Sequence, residues 1–361
     1  MSTIQDTSGA VLAAWSERVK RAADARTPLR LVGGGTKDFY GQDLAGERFD
    51  TTTYAGIVDY DPTELVVTVR CGTPLAAVED ALRERGQMLG FEPPRFGAGT
   101  TIGGCVAAGL SGPRRFSSGA VRDHLLGARL LDGRGQDLSF GGRVMKNVAG
   151  FDVSRLVAGS LGTLGIVLEV SLRCVPIPKV EATRVFELAP AEAIRRMNEW
   201  GGRPLPLTGT WYADGKLHAR LSGVESAVAA ATREMGGSAF DDGDRFWASI
   251  RDQQESFFGG SDAPLWRLSV KSTAPWLELG RAQAIEWGGA LRWLRADDAA
   301  DPKRIRTWAR KHGGHASLYR GAKSAGAFQP LDEAMLAIHR ALKANFDPAG
   351  IFNPRRMYPD L

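Results

Sequence analysis

The chain has 361 residues, 43% of them hydrophobic and 24% charged, with a net charge of +5 and a pI near 9.2. Its basic residues are scattered with no long run, which argues against a nucleic-acid binder. Three dispersed cysteines without a CxxC pair argue against a secreted disulfide scaffold and cannot supply a four-thiolate iron–sulfur cluster. The chain also has no apolar run of about 18 residues and no signal-peptide pattern, so a cytoplasmic location is expected, with membrane contact only through a partner.

"SGAVLAAWSERVKRAADA" spaces Val11, Ala14, Trp15, Val19 and Ala22 as one helical face. "PLRLVGGG" reads as a short strand entering a glycine turn, and "ELVVTVRCG" as an alternating strand. "TPLAAVEDALRERGQML" reads as a helix with Thr73 as N-cap, Pro74 in the first turn and Gly86 near its end. "LLGARLLDGRGQDLSF" reads as a hairpin turning at Asp132-Gly133. "NVAGFDVSRLVAGSLGTLGIV", residues 147–167, reads as glycines strung through a helix and into a strand, at roughly 1 kcal/mol per helical glycine. "GIVLEVSLRCVPIPK" closes this half, and the composition changes at Pro176–Lys179.

Beyond that point, "KLHARLSG" followed by helix "VESAVAAATREMGG" forms one strand–helix unit. "GALRWLRA", helix "DPKRIRTWARKHGG" and strand "HASLYRG" form another. The pattern predicts an antiparallel sheet with helices on one face, in the ferredoxin-like manner. A helix, "PLDEAMLAIHRALKANF", and a turn-rich tail end the chain.

Three glycine clusters carry the chemistry: "VGGGTKDFYG", "FGAGTTIGGCVAAGLSG" continuing through "SSGAVRDHLLG", and the 147–167 stretch. Glycine permits positive φ and removes the Cβ, so successive backbone N–H groups can converge on an anion. Nearby hydroxyls, at Thr36, Thr100, Thr101, Ser111 and Thr163, add donors. The pattern suits the pyrophosphate of a dinucleotide. "GAGTTIGG" is one residue out of step with the Rossmann fingerprint, and no Walker loop occurs.

In order and spacing, "GGGT … GAGTTIGG … SG … RDHLLG … DG … NVAGFDVSRLVAGSLGTLGIV" resembles the vanillyl-alcohol oxidase or PCMH-type FAD-binding family over residues 28–178, and "LKANFDPAGIFNPRRM" resembles that family's closing segment. Within the family, "GSLGTLG" and "GGHASLYRG" resemble the FAD-binding subunits of glycolate oxidases. The resemblance implies an α+β fold: a PCMH-type FAD domain of two α+β subdomains (1–178), a ferredoxin-like cap (179–329), and a C-terminal helix and tail returning to the FAD domain (330–361). By similarity, Gly33, Gly34, Gly35, Thr36 and Lys37 form the first pyrophosphate loop, and Gly99, Thr101, Ile102, Gly103 and Gly104 the second. Ser111, Gly112 and Gly119 run along the flavin, while Gly150, Gly162, Thr163, Gly165, Ile166 and Val167 wrap the adenosine end.

The implied function is an FAD-binding oxidoreductase subunit of a glycolate oxidase complex. It would oxidise a small 2-hydroxy acid, glycolate, to glyoxylate. Its implied partners are a second, D-type FAD subunit and an iron–sulfur subunit that takes the electrons. FAD is expected to be non-covalent, because no histidine sits in the first two clusters. Two alternatives are a stand-alone alcohol or sugar oxidase and a flavin-binding assembly subunit without substrate chemistry.

Two departures stand out. The related D-type dehydrogenases carry Glu where Leu161 stands, and their histidine–glutamate metal site has no counterpart here, so no metal is expected. No catalytic residue is assigned. His315, opening "HASLYRG", reads first as a hydrogen-bonded sheet-edge histidine and second as a base for a substrate hydroxyl. Arg320 or Arg355 are candidates to clamp a carboxylate.

Overall fold

The computed structural model describes residues 8–142, 152–259, 261–279, 282–296 and 301–361. Helix α1 (Ser8–Ala25) buries Trp15, Val19 and Ala22 of the expected face, while Val11 is half-buried and Ala14 is exposed. Trp15 packs edge-on against Phe49, with ring centres 5.3 Å apart. Strands β1 (Leu29–Val32) and β2 (Glu47–Asp50) pair in parallel. The C-terminal tail joins them: Leu29 N–H donates to the Ile351 carbonyl and Asn353 N–H to the Leu29 carbonyl.

A second sheet holds β3 (Ile57–Asp61), β4 (Val66–Arg70), β5 (Leu125–Leu131), β6 (Asp137–Gly141) and β7 (Ile166–Arg173), in the order β3-β4-β7-β5-β6 and antiparallel throughout. Helices α2 (Leu75–Arg83) and α3 (Ile102–Ala108) pack over it in one apolar core. Two local expectations are corrected. Thr73 does not cap α2: its hydroxyl donates to the Arg70 carbonyl, and Pro74 holds the cap position. The β5–β6 connection is no tight Asp-Gly turn. The Asp132 carboxylate accepts from the Arg134 and Gln136 N–H groups, and Gly135 takes the positive φ of 71°.

The remaining residues build one eight-stranded antiparallel sheet. Its strands are β8 (Val180–Glu187), β9 (Leu207–Ala213), β10 (Lys216–Gly223), β11 (Ser238–Phe240), β12 (Leu265–Ser269), β13 (Ala282–Glu286), β14 (Leu291–Arg295) and β15 (His315–Arg320). The order is β11-β8-β10-β9-β13-β14-β12-β15. Each half repeats the ferredoxin-like order, and the halves join at β9–β13. The two strand–helix units legible in the sequence are therefore parts of two ferredoxin-like halves, not one.

Alternation along the strands divides the side chains between two cores. Tyr212, Leu217, Ala219, Leu221 and Ile285 pack under α4 (Pro190–Gly201) and α5 (Glu225–Met235). Leu268, Leu294 and Leu318 pack under α7 (Pro302–Lys311). The opposite face presents Trp211, Leu265, Trp293 and Tyr319, which meet Tyr40, Ala108 and Leu110 of the N-terminal half and Trp247 of α6 (Gly243–Arg251).

Polar contacts fix this arrangement. Glu92 accepts a two-pronged bond from Arg220 on β10, at 2.9 Å for each N–O pair, and a further bond from Arg114 Nε at 3.1 Å. Arg114 also reaches Glu181 on β8. Burial alone would raise the Glu92 pKa, but the Arg220 charge and then the Arg114 charge outweigh it and hold it at about 2. At the tail, helix α8 (Glu333–Phe346) buries Lys343, whose ammonium donates to the Thr163 carbonyl, the Phe352 carbonyl and the Asp347 carboxylate at 2.7–2.8 Å.

Candidate functional site

Between β1, α3, the turn before β7 and the tail lies a continuous narrow cleft. Two cavities of about 80 and 90 Å³ make it up, and Leu31, Gly33, Gly104, Ala107, Leu161 and Asn353 line both. Gly103, Gly162, Gly165, Ile166 and Val167 line one end. Gly34, Gly35, Thr36, Lys37 and Thr101 line the other. Residues from three separate glycine clusters thus meet along one slot.

The glycines do two different jobs. A Cβ on Gly34 would lie 1.5 Å from the Gly99 carbonyl oxygen, and one on Gly33 would lie 2.5 Å from Thr101 Oγ1. One on Gly103 would lie 2.7 Å from Cys71 Cβ. These positions are bare because loop presses on loop. Gly104 differs: a Cβ there meets only Thr101 Oγ1 at 3.2 Å, the hydroxyl that caps α3. Its Cα faces the cleft. This is where a ligand in the cleft would gain from the missing side chain.

The hydroxyls are largely spent inside the protein. Thr36 and Thr100 share a hydrogen bond of 2.8 Å, and Thr100 also bonds the Arg95 carbonyl. What remains for an anion is backbone and the Lys37 ammonium, which lies 3.8 Å from Cys105 Sγ and over the Phe96 ring.

Several expected residues lie elsewhere. Ile102 is fully buried core, and Gly99 only backs Gly34. Ser111 accepts from Val121 N–H, Gly112 is packed against the Glu92 carbonyl, and Gly119 lies beside Asp123. Thr163 is buried, its hydroxyl donating to the Ser160 carbonyl at 2.8 Å. Gly150 lies outside the described residues. In the described part of the 147–167 stretch the glycines are not helical. Gly159, Gly162 and Gly165 have φ of 84°, 69° and 156° and form the turn between a short helix, Ser154–Val157, and β7. Positive φ is why glycine stands at the first two.

Sequence reasoning did not single out Asn353. Its Oδ1 accepts from Leu31 N–H at 2.9 Å and its Nδ2 donates to the Leu161 carbonyl at 2.7 Å, tying strand, turn and tail together where the two cavities meet. Asn before Pro in the closing segment is the only local signal. Cys71 lines the cleft, but burial pushes its thiol pKa up to about 12, leaving no thiolate for covalent chemistry.

His315 does stand at a sheet edge, on the terminal strand β15 opposite Ser269. Its imidazole has no hydrogen bond among the described residues, however, and opens into two further cavities under the cap. Arg320 is no clamp: it donates to Gln253 Oε1 at 2.7 Å and stacks over Phe39. Arg355 lines neither of these cavities. Among the described residues no group of three His, Cys, Asp or Glu side chains is placed to hold a metal, and no helix is long and apolar enough to cross a membrane.

A family model described as "FAD binding domain" matches residues 12–141. Over 96% of its length the chain is 45% identical to the glycolate oxidase subunit GlcE of Escherichia coli (strain K12), covering 97% of that protein. It is 33% identical to the glycolate oxidase subunit GlcD of Bacillus subtilis over 35% of this chain and 27% of that one. It is 31% identical to a mitochondrial D-lactate dehydrogenase (cytochrome) of Saccharomyces cerevisiae over 47% of this chain and 29% of that protein. Among solved structures, an alkyldihydroxyacetonephosphate synthase matches with a TM-score of 0.63 at 16% identity, covering 94% of this chain and 74% of the other, a likeness of fold.

Proposed function

Because the chain belongs to the family of the glycolate oxidase subunit GlcE, an FAD-binding oxidoreductase family with a PCMH-type fold, we propose that it is the FAD-carrying subunit of a complex that oxidises glycolate to glyoxylate. The observation that carries this reading is the single slot into which three glycine clusters converge, with an open cradle at Gly104. The Gly33–Lys37 backbone and the Lys37 charge would hold the pyrophosphate. Gly162, Gly165, Ile166 and Val167 would line the adenosine end. Bound FAD supplies the two-electron acceptor for a CH–OH donor.

The protein's own contribution is to bind, to orient and to keep water out. The tail does the first two at a distance: Lys343 and Asn353 hold the turn bearing Leu161 and Gly162 against β1. The cap does the third by laying its aromatic face over the cleft mouth. In this reading residues 1–178 are the cofactor domain, 179–329 the cap and 330–361 the returning segment.

FAD is held non-covalently, since among the described residues no histidine lines the slot and Cys71 there is kept protonated. Electrons leave to an iron–sulfur partner, because the three cysteines of the chain are buried and separate. A second, D-type flavin subunit completes the complex, and any membrane contact runs through these partners. Acid precipitation of the purified protein tests the core of the reading. Yellow FAD is expected in the supernatant. Flavin retained in the pellet refutes the non-covalent mode, and a colourless protein indifferent to added FAD refutes the function.

A further inference from the structure

A cavity of about 250 Å³ lies between the cap and the N-terminal half, next to the cleft and sharing Ala108 with it. Its lining includes Arg115 and Arg122 from one side and Arg267, Ser269 and His315 from the cap strands, and, among the described residues, no Asp or Glu. Trp287 is its hub. This residue sits at the tip of the β13–β14 hairpin with φ of 53°, and its indole N–H donates to the Gly112 carbonyl at 3.1 Å, pinning the hairpin to the N-terminal half. The Arg115 and Arg267 guanidinium carbons lie 4.1 and 5.1 Å from the Trp287 ring centre.

Neither guanidinium has a hydrogen bond or ion pair among the described residues. The Asp123 carboxylate lies 3.9 Å from Arg122 rather than on either of these arginines. Asp123 accepts from Ala120 N–H, and Glu286 accepts from Trp293 Nε1 at 2.6 Å. Burial, and then the charge of Arg267, lower the Arg115 pKa to about 10. Like charges packed on one indole without a counter-ion repel one another, and a site that tolerates this is arranged for an incoming anion. At about 250 Å³ the cavity has room for a small anion.

Building on the flavin reading above, we infer that this cavity binds the carboxylate of a small 2-hydroxy acid, with Arg115 and Arg267 as its anchors. The planar guanidinium offers paired donors that match a carboxylate, and stacking on Trp287 holds both forks in place without using up their N–H groups. One anchor comes from each side of the interface, so the site exists only when the cap is docked. An alternative source for the same anionic chemistry is the flavin itself, whose reduced ring carries negative charge.

The test uses the FAD-loaded protein and oxalate, a small carboxylate that cannot serve as a hydroxy-acid donor, followed by titration calorimetry. Glycolamide, which lacks the carboxylate, is the control. Oxalate is expected to bind and glycolamide not to. Arg115→Met and Arg267→Met should each weaken oxalate roughly 10-fold or more while FAD content stays at the wild-type level, the size expected for losing one charge-assisted bond. Arg267→Lys, which keeps charge and stem but loses the fork, should fall between, and it carries the test if a methionine variant fails to fold. Unchanged oxalate binding in these variants overturns the proposal. So does a loss of FAD with oxalate binding intact, which would give the arginines to the cofactor. A protein that holds no FAD at all fails the earlier reading instead, so the two failures are distinct.

Discussion

The glycine-lined cleft and the cavity beneath the cap touch at Ala108, yet they are made of opposite materials. The cleft is mostly backbone, supplied by three neighbouring loops and a tail. The cavity is side chains, three arginines, a histidine and a tryptophan, delivered by elements from both halves of the chain. A backbone site needs bare chain and tight turns, and it loses function when a Cβ is added. A side-chain site needs the sheet register and the docking of two halves, and it loses function when that docking slips.

The strongest way to break the contrast is to undo the docking. Glu92→Ala leaves the buried Arg220 without its carboxylate and Arg114 with Glu181 alone, and should cost about 3–5 kcal/mol in denaturant unfolding. The cleft should keep its architecture better than the cap cavity, so oxalate binding should fail before FAD binding. Glu92's carboxyl is held at about 2 against an ordinary 4.5. Its stabilising contribution is therefore fully present above about pH 4.5 and is lost as pH falls through about 2. The variant's deficit should shrink along that same acid limb.

Lys343→Met tests the cleft from its outer side. It removes three bonds and leaves Asp347 buried beside an apolar chain, for about 3 kcal/mol. FAD should dissociate faster, because the Thr163 carbonyl loses its tether, and stopped-flow release would measure it.

Gly104→Val sharpens the comparison. The Thr101 hydroxyl, 3.2 Å from the added Cβ, has only to yield by a few tenths of an ångström, so circular dichroism should stay close to the wild type while FAD affinity falls roughly 10–100-fold, the cost of about 1–3 kcal/mol of overpacking against the cofactor. Gly162→Val is a poorer probe. At φ of 69° and 2.8 Å from Asn353 Nδ2, it should lower stability as well as FAD content.

The smallest effect is expected at Glu286. Burial raises its pKa to about 7, against the opposing Trp293 bond and Arg267 charge. A carboxyl with a raised folded pKa favours the native state below its unfolded value of 4.5 and loses that contribution as pH rises through about 7. Glu286→Gln should be neutral near pH 4 and raise Tm at pH 8 by about 2–4 °C per kcal/mol recovered, read by calorimetry. A Tm drop at pH 8 would show that the ionised form is wanted beside Arg267.

The sequence alone determined the parts of this protein that depend on local geometry. Helix α1 and the strand entering Gly33 follow from spacing and composition, and the glycine clusters mark the cleft because bare backbone leaves a trace in the residue string itself. It could not separate Gly34, pressed against the Gly99 carbonyl, from Gly104, which lines the cleft, because both are one letter. Nor could it find Asn353, whose partners lie 322 and 192 residues away, or choose Arg115 and Arg267 over Arg320 among so many arginines. Those decisions belong to the tertiary structure. Whether a guanidinium is spent on Gln253 or left free over Trp287 depends on which strands pair and which face of the sheet meets the N-terminal half, and no local pattern encodes that meeting.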